Sequence, residues 1–438
     1  MDALTSPLAP VRGTSADAVC TVALRIAEAG CDAVAADRVM ERAARELRLE
    51  RQAAGGRLVV LVLGKAARGA LDGLGRALDG KIHSSFALGG TRYPAPDQAD
   101  VCALGDHPLP AGNSTRAVRS LREFVSAQAL TSRDTVVVAV TGGATAMLSE
   151  TAAPLLPGDL AELSRLLLRS GLDVTTVNAV RRACAPLLAG GLLDLLSPAR
   201  CIGLVLTDNV QVGFRGVGSG PTFATELDLL FVRHVVTTQV PEGGLRARLL
   251  AAVDGGASRR GFGVRHHNHE VGGPGLALSA MIDEARALGL AVESLGAAVQ
   301  GDVELVARTF AGRLDTLGSR ATAVLGCGEV TVAVRGQGRG GRCQELALRV
   351  AQLSPRGRGF AFVAAATDGV DNLPGVSGAW VTHETKSRAA ARGLDIPALL
   401  RDNDSHRAHR LLGQVLTGPA GISNTCDVYV GITTNPHG

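Results

Sequence analysis

The chain has 438 residues, enough for two or three domains with cores of their own. Its net charge of +4 is small for that length, aromatic residues make up only 3%, and no basic run stands out, which argues against nucleic-acid binding. No apolar stretch approaches the ~20 residues needed to cross a bilayer, and no charged start precedes an apolar run, so the expectation is a cytoplasmic protein with no membrane partner and no signal peptide.

The eight cysteines, Cys20, Cys31, Cys102, Cys184, Cys201, Cys327, Cys343 and Cys426, form no CxxC pair and no zinc-type spacing. They read as small buried hydrophobes in a reducing compartment. The only lysines are Lys65, Lys81 and Lys386, so a lysine in a tight loop is conspicuous.

In chain order, residues 1–15 look frayed, and Ser15 to Leu49 reads as one or two amphipathic helices. Arg57 to Leu63 is a continuous apolar run, the pattern of a buried parallel strand. It ends in Gly64-Lys65-Ala66-Ala67, where a small-residue helix begins. A lysine at such a turn can reach a phosphate, or can be a plain exposed turn residue. A weak strand and a loop lead to His107-Pro108. His107 is either a substrate contact or a turn histidine. Ser114 to Ala129 is helical. Thr135 to Val140 is a second buried strand, ending in Thr141-Gly142-Gly143-Ala144-Thr145. Leu160 to Arg169 is helical, and Asn178 to Arg182 opens a helix that closes at Gly190-Gly191.

Cys201 to Leu206 is a further buried strand, capped by Thr207-Asp208. Arg215 to Thr222, including Ser219 and Gly220, is a second glycine-rich loop. Val240 to Gly273 looks like a mobile connector; its His266, His267 and His269 read as solvated rather than metal-binding. Leu276 to Leu288 is a helix, Ala291 to Leu295 a strand and Asp302 to Leu317 a helix. Arg388 to Arg401 is a helical region and Cys426 to Ile432 a last strand. Strands alternating with helices predict an α/β fold with largely parallel sheets.

The richest stretch is Ala321 to Asp371. The strand Ala321 to Arg335 runs into a turn with Gly336, Gly338, Gly340 and Gly341, and Gln344 to Gln352 has a helical apolar pattern. Strand, glycine turn, helix is the layout that offers backbone N–H groups to an anion. Arg342 could grip phosphate or carboxylate with its fork, or the turn could be an ordinary surface one. Phe360 to Ala366 then reads as a buried strand ending at Asp368, the usual ligand-binding edge of an open α/β sheet. Lys65, the Thr141 loop, Asp208, the Ser219 loop, Arg342 and Asp368 all follow strands or glycine turns. Such loops converge at one sheet edge or between two sheets. Together they suit phosphoryl transfer: cradle phosphates, hold Mg²⁺, neutralise developing charge. No Walker GxxxxGK[ST] and no kinase HRD or DFG set is present.

These motifs, in this order, resemble the glycerate 2-kinase family with its C-terminal MOFRL domain. The likeness runs nearly end to end: GKAA at Gly64, HPLP at His107, TGGATAM at Thr141, NAVRR at Asn178, LTD at Leu206, GSGPT at Gly218, GCGEVTV at Gly326, GGRCQELAL at Gly340, TDGVD at Thr367 and DNDSH at Asp402. The resemblance implies a Rossmann-like parallel-sheet domain over residues 1–265 and a smaller α/β, MOFRL-type domain over 266–438, with the active site in the cleft between them. It implies ATP- and Mg²⁺-dependent phosphorylation of the 2-hydroxyl of D-glycerate, and a small hydroxy acid as the partner; a homodimer is an open expectation. The family's Lys, Asp and Arg fall on Lys65, Asp208 and Arg342. Thr141, Gly142, Gly143, Asn178, Arg181, Ser219, Gly220, Thr222, Glu329, Glu345 and Asp368 are the expected substrate and nucleotide contacts, with Asp368 also at the metal.

The chain departs from that pattern. The His, Ser and Lys that usually follow NxVR are missing from Ala183 to Gly191. The family's SDVxGD reads TDNVQVG from Thr207 to Gly213, without its second acidic group. The Asn of GGRNQE is Cys343, and the family's GEA is Gly301-Asp302-Val303. Removing one preorganised electrostatic group typically costs ~10²–10³ in rate. Since Lys65, Asp208, Arg342, Glu345 and Asp368 persist, the expectation is a member adapted to another small substrate of specialised metabolism. Arg181, Arg182 or Arg215 then stands in for the missing Lys. The alternative is non-kinase chemistry on a small anionic or phosphorylated substrate.

Overall fold

The computed structural model describes residues 9–10, 17–53, 55–91, 93, 96–150, 153–156, 158–170, 172, 174–208, 213–256, 259–316, 321–354, 359–418, 420–421, 423 and 425–433. Apart from Ala9–Pro10, which pair with Thr417 and Leu416, the expected frayed N-terminus lies outside them, as does the whole stretch between Asp208 and Gly213. The chain packs as two compact units, one built mainly on residues 36–208 and 213–271, the other on 17–35 and 272–433. No helix among the described residues is long and apolar enough to cross a membrane.

The first unit is a six-stranded sheet in the order Val101–Gly105, Ser84–Gly90, Leu58–Leu63, Thr135–Val140, Arg200–Leu206, His266–Gly272. The first five strands run parallel, with Leu61 opposite both Phe86 and Val138. Leu58–Leu63 and Thr135–Val140 are buried at every residue, which is why they read as unbroken apolar runs. Numbered along the chain, the order is 3-2-1-4-5-6, the doubly wound arrangement. Its direction reverses between Leu58–Leu63 and Thr135–Val140, and the crevice at that reversal is where such sheets bind ligands. A separate layer of helices, Asp159–Arg169, Val174–Cys184, Leu229–Gln239 and Gly244–Gly255, has its own core around Leu163, Val180, Val236 and Leu249.

Two expectations fail in this unit. The connector expected at Val240 to Gly273 is a helix, Gly244–Gly255, followed by the sheet's last strand. Leu245, Leu249, Leu250 and Val253 repeat at helical spacing there, and the flanking glycines and arginines obscure that period. Asn178 does not open its helix: Val174–Cys184 starts a turn earlier, which puts Asn178 and Arg181 mid-helix.

The second unit is a seven-stranded sheet in the order Ala9–Pro10, Val415–Thr417, Gly378–Thr382, Phe360–Ala366, Asp427–Thr433, Thr322–Thr331, Ala291–Asp302. Only the last pair is parallel, so the expectation of largely parallel sheets does not hold here. Each buried strand alternates between two apolar faces, a pattern that parallel and antiparallel neighbours share. On one face Val363, Cys327 and Val430 pack with helices Asp17–Ala33 and Pro274–Ala287. On the other, Phe362 and Tyr429 close on Phe310 at centroid distances of 4.9 and 6.0 Å, beside the helices Val303–Thr316 and Arg342–Leu353.

Candidate active site

At the reversal of the first sheet, two strand-end loops are laced together through main chain. Thr141 N donates to Leu63 O at 2.9 Å, and Lys65 N donates to Gly142 O at 3.0 Å. The buried Thr141 hydroxyl accepts from Ala66 N at 3.2 Å. Gly64 has φ +122, and a Cβ there would lie 2.5 Å from Thr141 O and 2.8 Å from Gly142 O, so only glycine permits this approach. Thr141 and Gly142 therefore build the loop rather than merely lining it.

Gly143, at φ +85, turns the chain into the short helix Ala144–Met147. The N–H groups of Gly142, Gly143 and Ala144 have no acceptor among the described residues. A Cβ on Gly143 would meet Lys65 Cγ at 3.0 Å and His107 Cδ2 at 3.2 Å, so the Lys65 and His107 side chains flank this bare stretch of backbone. The Lys65 ammonium lies 5.7 Å from the ring centre of Tyr93, a residue that the sequence reading did not single out. Successive unsatisfied N–H groups beside a lysine form a concavity suited to an anion.

The Ser219 loop adjoins the same loop. Ser219 Oγ is 3.1 Å from Thr145 Oγ1, and Ser219 itself has φ +61. Gly220 O accepts from Gly190 N at 2.9 Å. Asp208 follows the strand next to Thr135–Val140, half-buried. Thr222 is placed elsewhere: its buried hydroxyl faces Gly203 in mid-strand, and its carbonyl accepts from Asn268 Nδ2 at 2.7 Å. Arg181 lies in the helical layer, where Nε donates to Ser164 Oγ at 3.2 Å and burial lowers its pKa; Asn178 lies half-buried one turn away. Arg182 is lowered by burial too, and Arg215 stacks on Phe223 at 5.7 Å. Ala183 to Gly191, where the family's polar residues are missing, is organised by the buried Arg260, which donates to the carbonyls of Arg182, Ala185 and Leu188 at 2.9, 2.8 and 3.2 Å.

The remaining candidates belong to the second unit. Arg342 Nε and NH2 grip Asp427 at 2.5 and 2.8 Å, and NH2 also reaches Glu329 at 2.9 Å. Asp427 is fully buried, accepts from Tyr429 Oη at 3.2 Å, and raises the Arg342 guanidinium well above its ordinary value. Glu329 is half-exposed. Glu345 points inward, paired with Arg349 NH2 at 2.7 Å and with Asn403 Nδ2 at 3.2 Å. Asp368 is nearly buried, with Oδ1 accepting from Val370 N at 3.0 Å. Its strand has only antiparallel neighbours, so the open-parallel-sheet argument for that edge does not apply. Among the described residues no three His, Cys, Asp or Glu side chains group as a metal cage.

The glycine-rich turn before Arg342 also differs from expectation. The amides of residues 335–339 are not held out to a ligand, whereas those of Gly340, Gly341 and Arg342 have no acceptor among the described residues. Arg335 N and Gly336 N donate to Asn403 Oδ1 at 2.7 and 3.1 Å, Gln337 N to Asp402 Oδ1 at 2.9 Å, Gly338 N to Asp402 O at 2.8 Å, and Arg339 N to Asp404 Oδ1 at 3.2 Å. At the helix start, Cys343 N and Gln344 N donate to the Asp371 carboxylate at 3.0 and 2.9 Å. A protein carboxylate thus occupies the place read as an anion site. Burial pushes Asp371 up to about 6, against the pull of its Gln344 and Cys343 donors. The sequence reading quoted Asp371 and Asn403 within TDGVD and DNDSH without giving either a role, and passed over Asp427. An Asp opening an otherwise apolar strand was the signal for Asp427.

Residues 22–243 match the domain of unknown function DUF4147, and residues 322–427 match the MOFRL family. Glycerate kinase of Macaca fascicularis is 33% identical over 351 residues, 68% of this chain and 87% of that one. Glycerate kinase of Danio rerio is 29% identical over 385 residues, 74% of this chain and 76% of that one. The crystal structure of glycerate kinase from Thermotoga maritima shares the fold, with a TM-score of 0.84, 23% identity, and coverage of 95% of this chain and 100% of that one.

Proposed function

Since the chain belongs to the glycerate 2-kinase family and is a glycerate kinase-like phosphotransferase, we propose that it transfers a phosphoryl group from ATP, in a Mg²⁺-dependent reaction, to a hydroxyl of a small hydroxy acid. The acceptor is the 2-hydroxyl of D-glycerate or of a related specialised metabolite. The observation that carries this reading is the bare backbone of Gly142 to Ala144 between Lys65 and His107, at the reversal point of a doubly wound sheet.

Lys65 holds the phosphoryl group as a point charge while the Gly142–Ala144 amides take its oxygens. Asp208, at the end of the fifth strand, orients the acceptor hydroxyl and takes up its proton. Arg342 stabilises charge with its NH1; Asp427 and Glu329 fix the other two nitrogens and so the direction of the fork. Magnesium ATP supplies the phosphoryl group and offsets the charge of its oxygens. The donor set fits magnesium rather than a metal needing a full protein cage: Asp368 would hold it with one carboxylate, and the metal would neutralise charge on the phosphate oxygens.

A phosphorus NMR time course with purified protein, MgATP and D-glycerate tests the proposal. Growth of ADP together with 2-phosphoglycerate is the expected result, and Lys65→Ala should slow both by about 10²–10³. If neither D-glycerate nor a panel of other hydroxy acids yields a phosphorylated product, the reading is wrong.

A further inference from the structure

The second unit carries a pocket of about 720 Å³ that the proposed chemistry does not use. It opens between the helices Val303–Thr316, Arg342–Leu353 and Ile396–Arg401, beside the chain that leaves the strand Thr322–Thr331. Arg308, Arg335, Arg349 and Arg401 line it, against two carboxylates, Asp302 and Glu304. Glu304 is already shared: it pairs with Arg308 at 2.7 Å and with Arg349. No ion pair among the described residues engages the guanidinium of Arg335 or Arg401. Arg349 also pairs with Glu345, so the two guanidiniums at this volume without an ion pair are those of Arg335 and Arg401, and like charges so placed call for a counter-anion. Leu353, Pro397 and Leu400 line the same volume, so the wall also has an apolar part.

We propose that this pocket binds a small phosphorylated compound that carries two or more negative charges and an apolar portion, and that its occupancy is felt at Arg342. The volume exceeds what a lone phosphate fills and lies in the range of pockets for nucleotide-sized ligands. The link to Arg342 is Asn403, which is 8% exposed and also lines the pocket. Its side-chain oxygen holds the amides of Arg335 and Gly336, and its amide donates to Glu345, which in turn pairs with Arg349. An anion drawing on Arg335 and Arg349 therefore pulls on both ends of the turn that delivers Arg342.

Inorganic pyrophosphate is the probe, titrated calorimetrically into Lys65→Ala protein so that the other anion site is disabled. The expected result is one binding event, weakened at least about tenfold when Arg335→Ala and Arg401→Ala are added. Both arginines are exposed, so the thermal midpoint should not move with these substitutions. In the pyrophosphate-bound protein, amide exchange at residues 335–339 should slow. No binding in the Lys65→Ala background, binding indifferent to the two arginines, or unchanged exchange at those amides would each overturn the proposal.

Discussion

Two loops of this chain share one local sequence logic. Gly64-Lys65 and the Gly336 to Arg342 turn each follow a buried strand, bring glycine and a basic residue together, and precede a helix. In the first, glycine lets one strand-end loop close on the next, and the amides of Gly142 to Ala144 remain without an acceptor among the described residues. In the second, glycine lets the turn lie against residues 402–405 and 371, where a Cβ on Gly336 would sit 2.2 Å from Asp402 O. There Asp402, Asn403 and Asp404 take up the amides of residues 335–339 and Asp371 those of Cys343 and Gln344, which leaves only Gly340 to Arg342 without an acceptor among the described residues. A glycine-rich turn thus announces close approach of backbone to something. Whether that something is a ligand or the protein depends on acceptors supplied by distant residues. On the proposed function this divides the labour: the first loop would serve the chemistry, while the second holds its own unit together.

The largest effect that would sharpen this contrast is expected at Arg342. Arg342→Ala leaves Asp427 charged, fully buried and without its cation, which should cost about 3–5 kcal/mol of unfolding free energy, read as a lower urea midpoint with unchanged slope. Activity should fall with it. An unmoved midpoint would mean that the second loop is not the structural one. Lys65→Ala comes next. It should lower kcat/KM by about 10²–10³ while the unfolding free energy moves by under about 1 kcal/mol. A loss of stability matching that of Arg342→Ala would erase the distinction between the loops.

Glycine replacements give smaller effects that separate by readout. Gly64→Ala forces an alanine to φ +122 against two main-chain oxygens, and Gly336→Ala forces a Cβ into the Asp402 backbone; each should cost about 1–3 kcal/mol. The first should appear as lost turnover with the second unit's unfolding unchanged. The second should appear as earlier unfolding of the second unit. The reverse pattern would break the comparison.

Much of the first loop was legible in the sequence because its determinants are local. Leu58–Leu63 and Thr135–Val140 declare themselves as unbroken apolar runs, and the residues after each are the ones that meet. The second loop was legible only as a shape. Its acceptors lie about 65 residues downstream in Asp402 to Asp404, and at Asp371, and no periodicity connects them to Gly336. Strand direction in the second sheet was illegible for a related reason. Phe360–Ala366 is buried on both faces, and that pattern is the same beside a parallel or an antiparallel neighbour. The helix Gly244–Gly255 was hidden by composition, since the glycine-rich ends outweighed four leucine and valine positions at helical spacing.

The smallest effect probes how tightly the second loop's supports are coupled. Gln344 Nε2 donates to Asp371 at 2.9 Å, and Gln344 O accepts from His409 Nε2 at 2.8 Å. Burial lowers His409 to about 4, so between about pH 6.5 and 4 the unfolded chain binds the proton more readily, and acidification through that window removes stability. Burial raises Asp371 to about 6, so between about pH 6 and 4 the folded protein binds the proton more readily, and the same acidification adds stability. Each contribution is about 3 kcal/mol at full extent, of opposite sign, in overlapping windows. Urea midpoints of the second unit at pH 6.5 and 4.5 should therefore differ little on account of this pair. Removing the His409 contribution with His409→Gln should expose the Asp371 limb, and the variant should gain stability from pH 6.5 to 4.5 relative to the wild type. A variant that instead loses stability more steeply on acidification would show Asp371 ionised throughout, held by its Cys343 and Gln344 donors alone.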